Sequence, residues 1–289
     1  MAAIFSRASG SRARGAIWHS AGMPLPRSLF ALVAAASATA PLGAAAAIRP
    51  VPPVELTYNA YVLGFPAVSF DFHYDQTATG YRVMSEGRTN GLADLIAHYR
   101  MKSVSDGALV DSGYRPAEHE STGTRSGKPW LMHIDFDGDS IRARTEPPDD
   151  HPLKPAELSR SIDPLTAILA ASHHLAASGS CDQRIRVFDG RERYDLVLGD
   201  EGEDILSKGF GIFAGKAHRC RLALVKMKDS APDPSQDLGR PAQIWFAPPA
   251  PDLPAVPVRV DFRTALGTVT VSLDAINLAA APPNAAAAP

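Results

Sequence analysis

The chain has 289 residues, of which 45% are hydrophobic and 21% are charged, so it can bury a sizeable core as one domain. Its formal net charge is −2, and four of its 29 basic residues but none of its 31 acidic residues precede position 48. The remaining chain therefore carries a net charge of about −6. This acidic balance, without a run of Lys or Arg, argues against a nucleic-acid binder and against a protein held on anionic lipid by charge.

Residues 1–47 have the organisation of a secretory signal peptide. Basic residues come first, the apolar stretch SLFALVAAASATAPLGAAAA (28–47) follows, and that stretch ends in small residues. Its Ala-rich core, interrupted by Pro41, is too weak for a stable membrane span. Met1 and Met23 both remain open as the start, and we predict cleavage near residues 45–47. We therefore expect a periplasmic protein without a transmembrane segment in its mature chain.

Residues 54–89 alternate apolar and polar side chains with period two, which is the pattern of half-buried strands. Three strands are predicted here: VELTYNAYVLG (54–64), AVSFDFHYD (67–75) and YRVMSEGRT (81–89). The next segment, GLADLIAHYR (91–100), changes to helical spacing, with apolar side chains at Leu92, Leu95, Ile96 and Tyr99. We predict a short helix there that packs one face on the sheet.

Two later stretches are predicted to be β-hairpins. PWLMHIDFDGDSIRARTE (129–146) turns at Asp137-Gly138, and RIRVFDGRERYDLVL (184–198) turns at Asp189-Gly190. Asp-Gly pairs tolerate the positive φ angles of tight two-residue turns. Between the hairpins, residues 163–179 are predicted to be a helix.

That helix has clear signals at both ends. Asp163 is placed as its N-cap, Pro164 occupies the first helical position, and Gly179 ends it. Its apolar side chains form one stripe, which predicts that the helix packs a single face against the sheet.

The sequence contains two cysteines, Cys181 and Cys220. Neither cysteine lies directly after the predicted cleavage region, where a lipoprotein carries the cysteine that is lipidated, so a lipid-anchored lipoprotein is not expected. Two cysteines in an exported chain favour one disulfide, although two buried free thiols remain the alternative. A bridge would close a loop of about 40 residues and contribute roughly 3–4 kcal/mol in the chain-entropy model.

The C-terminal part returns to the period-two pattern. Four strands are predicted: HRCRLALVKM (218–227), RPAQIWFA (240–247), PVRVDFRT (257–264) and GTVTVSLDAIN (267–277). Residues 279–289, AAAPPNAAAAP, are predicted to be a disordered tail. We therefore expect one domain over 48–278, mainly β and antiparallel, with about ten strands in a curved sheet or half-barrel and one or two short helices packed on it.

Three stretches approach a metal or phosphate site without completing one. Adjacent His173 and His174 would point about 100° apart on a helix, whereas zinc-binding helices use i, i+4 spacing. DFDGDS (135–140) has its glycine in the wrong position for a calcium loop. GFGIFAGK (209–216) lacks the first glycine and the Ser/Thr of a phosphate-binding loop. We predict no metal, no cofactor and no catalytic residue.

Six stretches in a fixed order extend over nearly the whole mature chain. They are LTYNAYVLGFPAVSF (56–70), TNGLADLIAHYRMKSVSDG (89–107), YRPAEHEST (114–122), SIDPLTAIL (161–169), RVFDGRERYDL (186–196) and QIWFAPPAPDLPAVPVRVDFRTALGTVTVSL (243–273). Together they resemble the DUF3108 family of exported bacterial proteins of unknown function. The resemblance implies an antiparallel β-rich fold, with a short helix and a following strand at 89–107 and a Pro-containing turn at 114–122. It implies no catalytic residues.

We expect a non-enzymatic periplasmic protein that binds an apolar or lipid-like ligand, or an envelope component, in the concave face of its sheet. The side chains expected to line this pocket are Leu95, Ile96, Tyr99, Trp130 and Trp245. A periplasmic hydrolase of envelope glycan or ester remains open, and would show converging acidic groups or a Ser/His pair. A structural or assembly partner in the envelope also remains open, and would show an exposed apolar patch or an unpaired edge strand.

Overall fold

The computed structural model describes residues 51–96, 98–110, 113–226, 242–251, 253–264 and 267–278, and for Ile96 it describes the backbone alone. The predicted signal peptide and C-terminal tail lie outside these ranges. The helices are α1 (Gly91–Ile96), α2 (Pro155–Leu158) and α3 (Pro164–Ser178). The strands are β1 (Val51–Val62), β2 (Phe65–Gln76), β3 (Gly80–Thr89), β4 (Tyr99–Val110), β5 (Gly113–Arg125), β6 (Lys128–Asp137), β7 (Ser140–Glu146), β8 (Gln183–Phe188), β9 (Arg193–Leu206), β10 (Gly215–Lys226), β11 (Ala242–Ala247), β12 (Val256–Thr264) and β13 (Gly267–Leu278). In this part of the chain, no helix combines the length and the apolar composition that a membrane crossing requires.

The thirteen described strands form one antiparallel sheet in the order β7-β6-β5-β4-β3-β2-β1-β13-β12-β11-β10-β9-β8. The first strand pairs with the last, so β1 and β13 join two meanders into one surface. This arrangement confirms the predicted mainly β, antiparallel fold. The strand count exceeds the prediction of about ten, chiefly because β4 and β5 were not recognised from the alternation of side chains.

The start of β4 and the path of β5 differ from the sequence predictions. Helical spacing continues to Tyr99, but α1 ends three residues earlier and Tyr99 already pairs within the sheet. Pro116 lies inside β5, opposite Gly107, where the β4–β5 register shifts. A proline fits a strand at such a bulge because the ladder is locally interrupted there. The predicted turn at 114–122 is therefore wrong.

The sheet curves until its two edges approach each other. Helix α3 contacts β3, β4 and β5 on one side and the edge strand β8 on the other. Ile162 extends the edge of β8, because its N–H donates to the Arg186 carbonyl and its own carbonyl accepts from the Phe188 N–H, each at 2.9 Å. Phe188 in turn packs with Ile134 of β6, Ile141 of β7 and Leu158 of α2. The result is a half-barrel whose edges are bridged by α2, α3 and the segment between them.

Buried side chains cover a large part of the concave face in the described residues. One row of paired residues crosses six strands and alternates large side chains with glycine: Tyr58, Phe70, Gly87, Met101, Gly123 and Trp130. A Cβ at Gly123 would lie 2.7 Å from the Trp130 ring, so the missing side chain makes room for the indole. Helix α3 occupies the space next to these strands.

Helix α3 begins and ends as predicted. The Asp163 carboxylate accepts the N–H groups of Leu165 and Thr166 at 3.0 and 2.9 Å. Gly179 adopts a φ of +72°, and its N–H donates to the Leu175 carbonyl at 2.8 Å. These are a standard N-cap and a left-handed C-terminal stop. They fix the position at which Asp163 meets the sheet.

Candidate functional site

The five side chains predicted to line one pocket occupy different environments. Trp245 is only 5% exposed, packs in the core, and donates its indole N–H to Asp204 at 3.0 Å. Leu95 projects from α1 into solvent, and Ile96 is the last residue of that helix. The side chains therefore do not form one common pocket, because α1 turns Leu95 outward and the core encloses Trp245.

Tyr99 and Trp130 do lie in one region, at the α1 end of the concave face. Both are half-buried; Trp130 pairs with Gly123, and Tyr99 lies two residues before Met101, which pairs with Gly123 on its other side. The Tyr99 hydroxyl donates to the Met101 sulfur at 3.3 Å, and the Arg125 guanidinium lies 5.7 Å from the Tyr99 ring centroid. Burial raises the pKa of Tyr99. This pair is the part of the predicted set that the fold brings together.

The same end of the sheet carries a group of exposed apolar side chains. Leu63 and Phe65, in and beside the β1–β2 turn, are 70% and 74% exposed, while Leu92 and Leu95 on α1 are 78% and 83% exposed. We call these four residues the apolar rim. Ile205 is exposed to a similar extent, but it lies near the end of β9, at the opposite end of the half-barrel. Solvent-exposed apolar groups that gather in one place mark interaction surfaces.

Backbone contacts bring the segments that carry the rim to one end of the half-barrel. The Asn90 N–H donates to the Ala67 carbonyl at 2.8 Å, which holds the start of α1 against β2. On its other side, the Ser126 N–H donates to the His98 carbonyl at 2.9 Å, which joins the end of the α1 segment to the β5–β6 turn. Leu63 lies against Gly267 at the start of β13. Three turns and one helix therefore share one end of the half-barrel.

Three basic residues stand at this end without an acidic partner. Arg125 and Lys128 flank the β5–β6 turn, and Arg263 lies near the end of β12. All three are exposed, and no carboxylate of the described residues lies within 4.0 Å of their charged groups. The rim is thus locally basic, although the predicted mature chain is acidic overall.

Two shallow grooves lie elsewhere on the surface. The first, about 360 Å³, runs over the outer face of β3, β4 and β5, where Lys102 pairs with Glu86 at 2.9 Å. The second, about 350 Å³, lies along the edge strand β8 and is lined by Arg160, Arg184 and Arg186 with two isoleucines. None of the five predicted pocket residues lines either groove.

A buried polar network joins α3 to the sheet, and the sequence analysis did not find it. The Ser105 hydroxyl donates to Asp163 Oδ1 at 2.6 Å and lies 2.7 Å from Nδ1 of His119. His119 Nδ1 is 3.4 Å from the same carboxylate oxygen, and the Thr166 hydroxyl donates to the other oxygen at 2.5 Å. Tyr81 completes the network through Thr166 at 2.7 Å.

Ser, His and Asp meet here, but not in the geometry of a nucleophilic triad. A triad uses one ring nitrogen for the serine and the other for the carboxylate, and the imidazole accepts the serine proton. Here both partners meet Nδ1, and the Ser105 proton already goes to Asp163, so Nδ1 donates to Ser105. Ser105, His119 and Asp163 are also buried, so a substrate has no approach. The network anchors the helix to the sheet.

The network sets the ionisation of Asp163. Burial alone would raise its pKa, but the hydrogen bond and charge of His119, with hydrogen bonds from Ser105 and Thr166, outweigh burial and hold the pKa below 3.8. Asp189, in the β8–β9 turn, behaves in the opposite way. Its burial raises the pKa despite hydrogen bonds from the backbone of Glu192 and Arg191.

Asp163 should make the stability of the protein depend on pH in acid. Its pKa is depressed in the folded state, so its contribution is fully present above about pH 4 and is lost as pH falls through the folded-state pKa. We expect the free energy of unfolding to fall below pH 4, and to fall less steeply in Asp163→Asn, which cannot titrate there. Urea titrations followed by tryptophan fluorescence at several pH values measure both slopes. Equal slopes would assign the acid sensitivity to other carboxylates.

The two cysteines form the predicted disulfide. Cys181, before β8, and Cys220, in β10, are bonded with their Cα atoms 6.2 Å apart, and both are buried. Next to the bond, the Asp200 carboxylate accepts the Cys181 N–H at 2.9 Å and lies 2.6 Å from Nε2 of His218. The hydrogen bond from the Cys181 backbone and those of His218 and Gly202, with the nearby His218 charge, overcome partial desolvation and lower the Asp200 pKa to about 2.

Comparisons with known proteins agree with the fold and leave the activity open. No curated protein matches the sequence significantly. Among solved structures, the chain is similar to the crystal structure of a beta-barrel-like protein of domain of unknown function DUF1849 from Brucella abortus. That match has a TM-score of 0.50 and 9% identity, and it covers 80% of this chain and 99% of the other. At this identity the likeness shows the fold alone. A family model described as "Protein of unknown function (DUF3108)" matches residues 56–274, and the chain therefore belongs to the DUF3108 family.

Proposed function

We propose that this protein is an exported, non-enzymatic protein that binds a lipid surface through the apolar rim. The observation that carries the proposal is the position of the exposed apolar groups. Of the five large apolar side chains that are at least 70% exposed in the described ranges, four are the rim residues Leu63, Phe65, Leu92 and Leu95. The predicted signal peptide supports a periplasmic location, where membrane surfaces are accessible.

The rim has the physical properties of a peripheral membrane anchor. Each Leu or Phe side chain that moves from water into an apolar phase gains about 1.5–3 kcal/mol when it is fully buried. Each Lys or Arg next to an anionic membrane adds about 1 kcal/mol. The unpaired Arg125, Lys128 and Arg263 stand where they would meet headgroups while the rim side chains enter the acyl boundary. Charge alone would not hold this acidic protein on lipid, so the apolar side chains carry the larger part.

A lipid surface fits this geometry better than a ligand enclosed by the sheet. Helix α3 and buried side chains of the strands occupy a large part of the concave face, whereas the four rim side chains project into solvent. The rim also places Tyr99 and Trp130 close behind it, and aromatic side chains favour the interface between water and lipid. The hydrolase alternative has less support, because the Ser105–His119 pair is buried and His119 donates a hydrogen bond to Ser105 instead of accepting the serine proton.

Replacing rim leucines with acidic residues should weaken lipid binding strongly. The double variant Leu92→Asp with Leu95→Asp is expected to weaken partitioning onto vesicles of phosphatidylcholine and phosphatidylglycerol by at least about tenfold, since two apolar anchors are lost. The protein is purified from the periplasm of an expressing bacterium, and its N-terminus is checked by its mass. Its binding to the vesicles is then measured by co-sedimentation.

The matched control is Ile205→Asp, which places a negative charge at a similarly exposed apolar position at the opposite end of the half-barrel. It should bind vesicles like the parent protein. Lys128→Glu should weaken binding to anionic vesicles and leave binding to pure phosphatidylcholine unchanged. Equal binding by the rim double variant and the parent would overturn the proposal.

A further inference from the structure

The disulfide is surrounded by side chains that bind metal ions. The Sγ atoms of Cys181 and Cys220 and one imidazole nitrogen of His218 all lie within 4.8 Å of one another. We propose that the reduced protein binds one Zn²⁺ through Cys181, Cys220 and His218, with the Asp200 carboxylate as the fourth ligand. The sequence predicted no metal site, because these residues meet only through the pairing of β9 with β10.

Three potential zinc ligands lie close together, but the ion needs the disulfide to open first. In a tetrahedral site, Zn–S bonds of about 2.3 Å and Zn–N bonds of about 2.0–2.1 Å place the ligand atoms about 3.5–3.8 Å apart, which is more than the separation of the two bonded sulfur atoms. His218 and Cys220 lie on either side of the register shift in β10, and the ligand atoms of both lie near the Cys181 sulfur. The two sulfur atoms, released from each other, need to separate only enough to admit the ion, which a rotation about a Cα–Cβ bond supplies.

Asp200 lies beside this cluster, and its carboxylate would move away from the His218 imidazole to become the fourth ligand. Its Oδ2 lies 2.6 Å from His218 Nε2 and 3.6 Å from Cys181 Sγ. Its Oδ1 accepts the Gly202 N–H at 2.9 Å, which fixes the orientation of the carboxylate.

The donor set selects a thiophilic ion. Two thiolates, one imidazole and one carboxylate favour Zn²⁺ over Mg²⁺ or Ca²⁺, which prefer oxygen ligands. The cluster is mostly buried, since Cys181 and Cys220 are enclosed and His218 and Asp200 are partly exposed. A metal site with four protein ligands and little solvent access is structural rather than catalytic.

The disulfide and the metal site exclude each other because they use the same sulfur atoms. A phosphine reduces the bond with one water: the disulfide takes up two electrons and two protons to give two thiols, and the phosphine becomes its oxide. Zn²⁺ then displaces one proton from each thiol. The oxidised chain is therefore held by a covalent bond, the reduced chain by a metal ion, and bound zinc should slow the return to the disulfide.

The test compares the oxidised and reduced forms of the same protein. Periplasmic protein is reduced with a phosphine in metal-free buffer, the phosphine is removed under nitrogen, zinc is added, and the zinc that remains after gel filtration is measured. We expect one zinc per reduced chain and none on the oxidised chain. Zinc should also raise the Tm of the reduced form alone, because an ion that binds only the folded reduced state stabilises that state. This readout applies even if the reduced, metal-free chain is partly unfolded.

The His218→Asn variant tests the assignment of the ligands. It keeps both cysteines but removes the imidazole, and we expect its reduced form to bind zinc at least about tenfold more weakly. His151→Asn, at an exposed histidine outside the cluster, is the matched control and should retain the parent affinity. Equal zinc on the oxidised and reduced forms, no retained zinc and no rise in Tm, or parent-like affinity in His218→Asn would each overturn the proposal.

Discussion

Replacing Asp163 with alanine is expected to lower the free energy of unfolding by about 3–5 kcal/mol, the cost of breaking a buried pair by removing one partner. The carboxylate caps α3 through the N–H groups of Leu165 and Thr166, and loss of a cap alone costs about 0.5–2 kcal/mol. It also accepts the hydroxyls of Ser105 and Thr166. In the variant both hydroxyls lose their carboxylate acceptor, and the loss of these buried hydrogen bonds adds the larger part of the cost.

Two further variants separate this effect from the general cost of losing an aspartate. Asp163→Asn can still cap the helix through its amide oxygen, so we expect a smaller loss, of about 1–3 kcal/mol. Asp139→Ala, at an exposed turn position between β6 and β7, should change stability by no more than about 0.5 kcal/mol. Urea unfolding at pH 7 measures all three. A loss below about 1 kcal/mol for Asp163→Ala would mean that the buried hydrogen bonds stabilise these groups little more than water does in the unfolded state.

Local signals were sufficient to predict α3 but not its partners. Asp163, Pro164 and Gly179 lie within one segment, and capping rules connect such residues directly to helix ends. Ser105 reaches Asp163 across 58 residues of sequence, and only the packing of α3 on β3, β4 and β5 brings them together. The network was therefore missed, because no spacing rule relates a serine on one strand to a helix cap on another element.

The rim shows a different limit of sequence patterns. Helical spacing at Leu92, Leu95, Ile96 and Tyr99 correctly indicated a helix, and the same pattern predicted a buried face. The helix has only six residues, and Leu92 and Leu95 project into solvent. The spacing of apolar residues indicates the local conformation, whereas the burial of a side chain depends on which other elements pack against it. For the same reason, Trp245 and Leu95 were grouped in one predicted pocket although they lie in different environments.

The cysteine pair was the most reliable chemical prediction, because a chain with two cysteines offers only one intramolecular pairing. The surroundings of the bond were not predictable in the same way. Asp200 and His218 approach it because β9 and β10 pair with a register shift between His218 and Cys220. A shift of this kind depends on tertiary packing and leaves no signal in the spacing of residues.

Removing the disulfide is expected to cost about 3–4 kcal/mol in the free energy of unfolding, because the unfolded chain regains the freedom of a loop of about 40 residues. The double variant Cys181→Ala with Cys220→Ala leaves no free thiol and no metal ligand from sulfur. Urea unfolding of this variant is compared with that of the parent protein, oxidised and reduced, in buffer containing a chelator.

The comparison with the reduced parent separates two contributions to that loss. Both the double variant and the reduced parent lack the cross-link, so the chain-entropy model predicts that they lose the same amount. Cys181 and Cys220 also pack with Ala171, Leu175 and Ile244, so alanine at both positions removes buried sulfur contacts that the reduced parent retains. A large loss in the double variant with little change in the reduced parent would therefore assign the stabilisation to packing. Equal losses would assign it to the bond, and zinc would then be expected to restore stability to the reduced parent but not to the double variant.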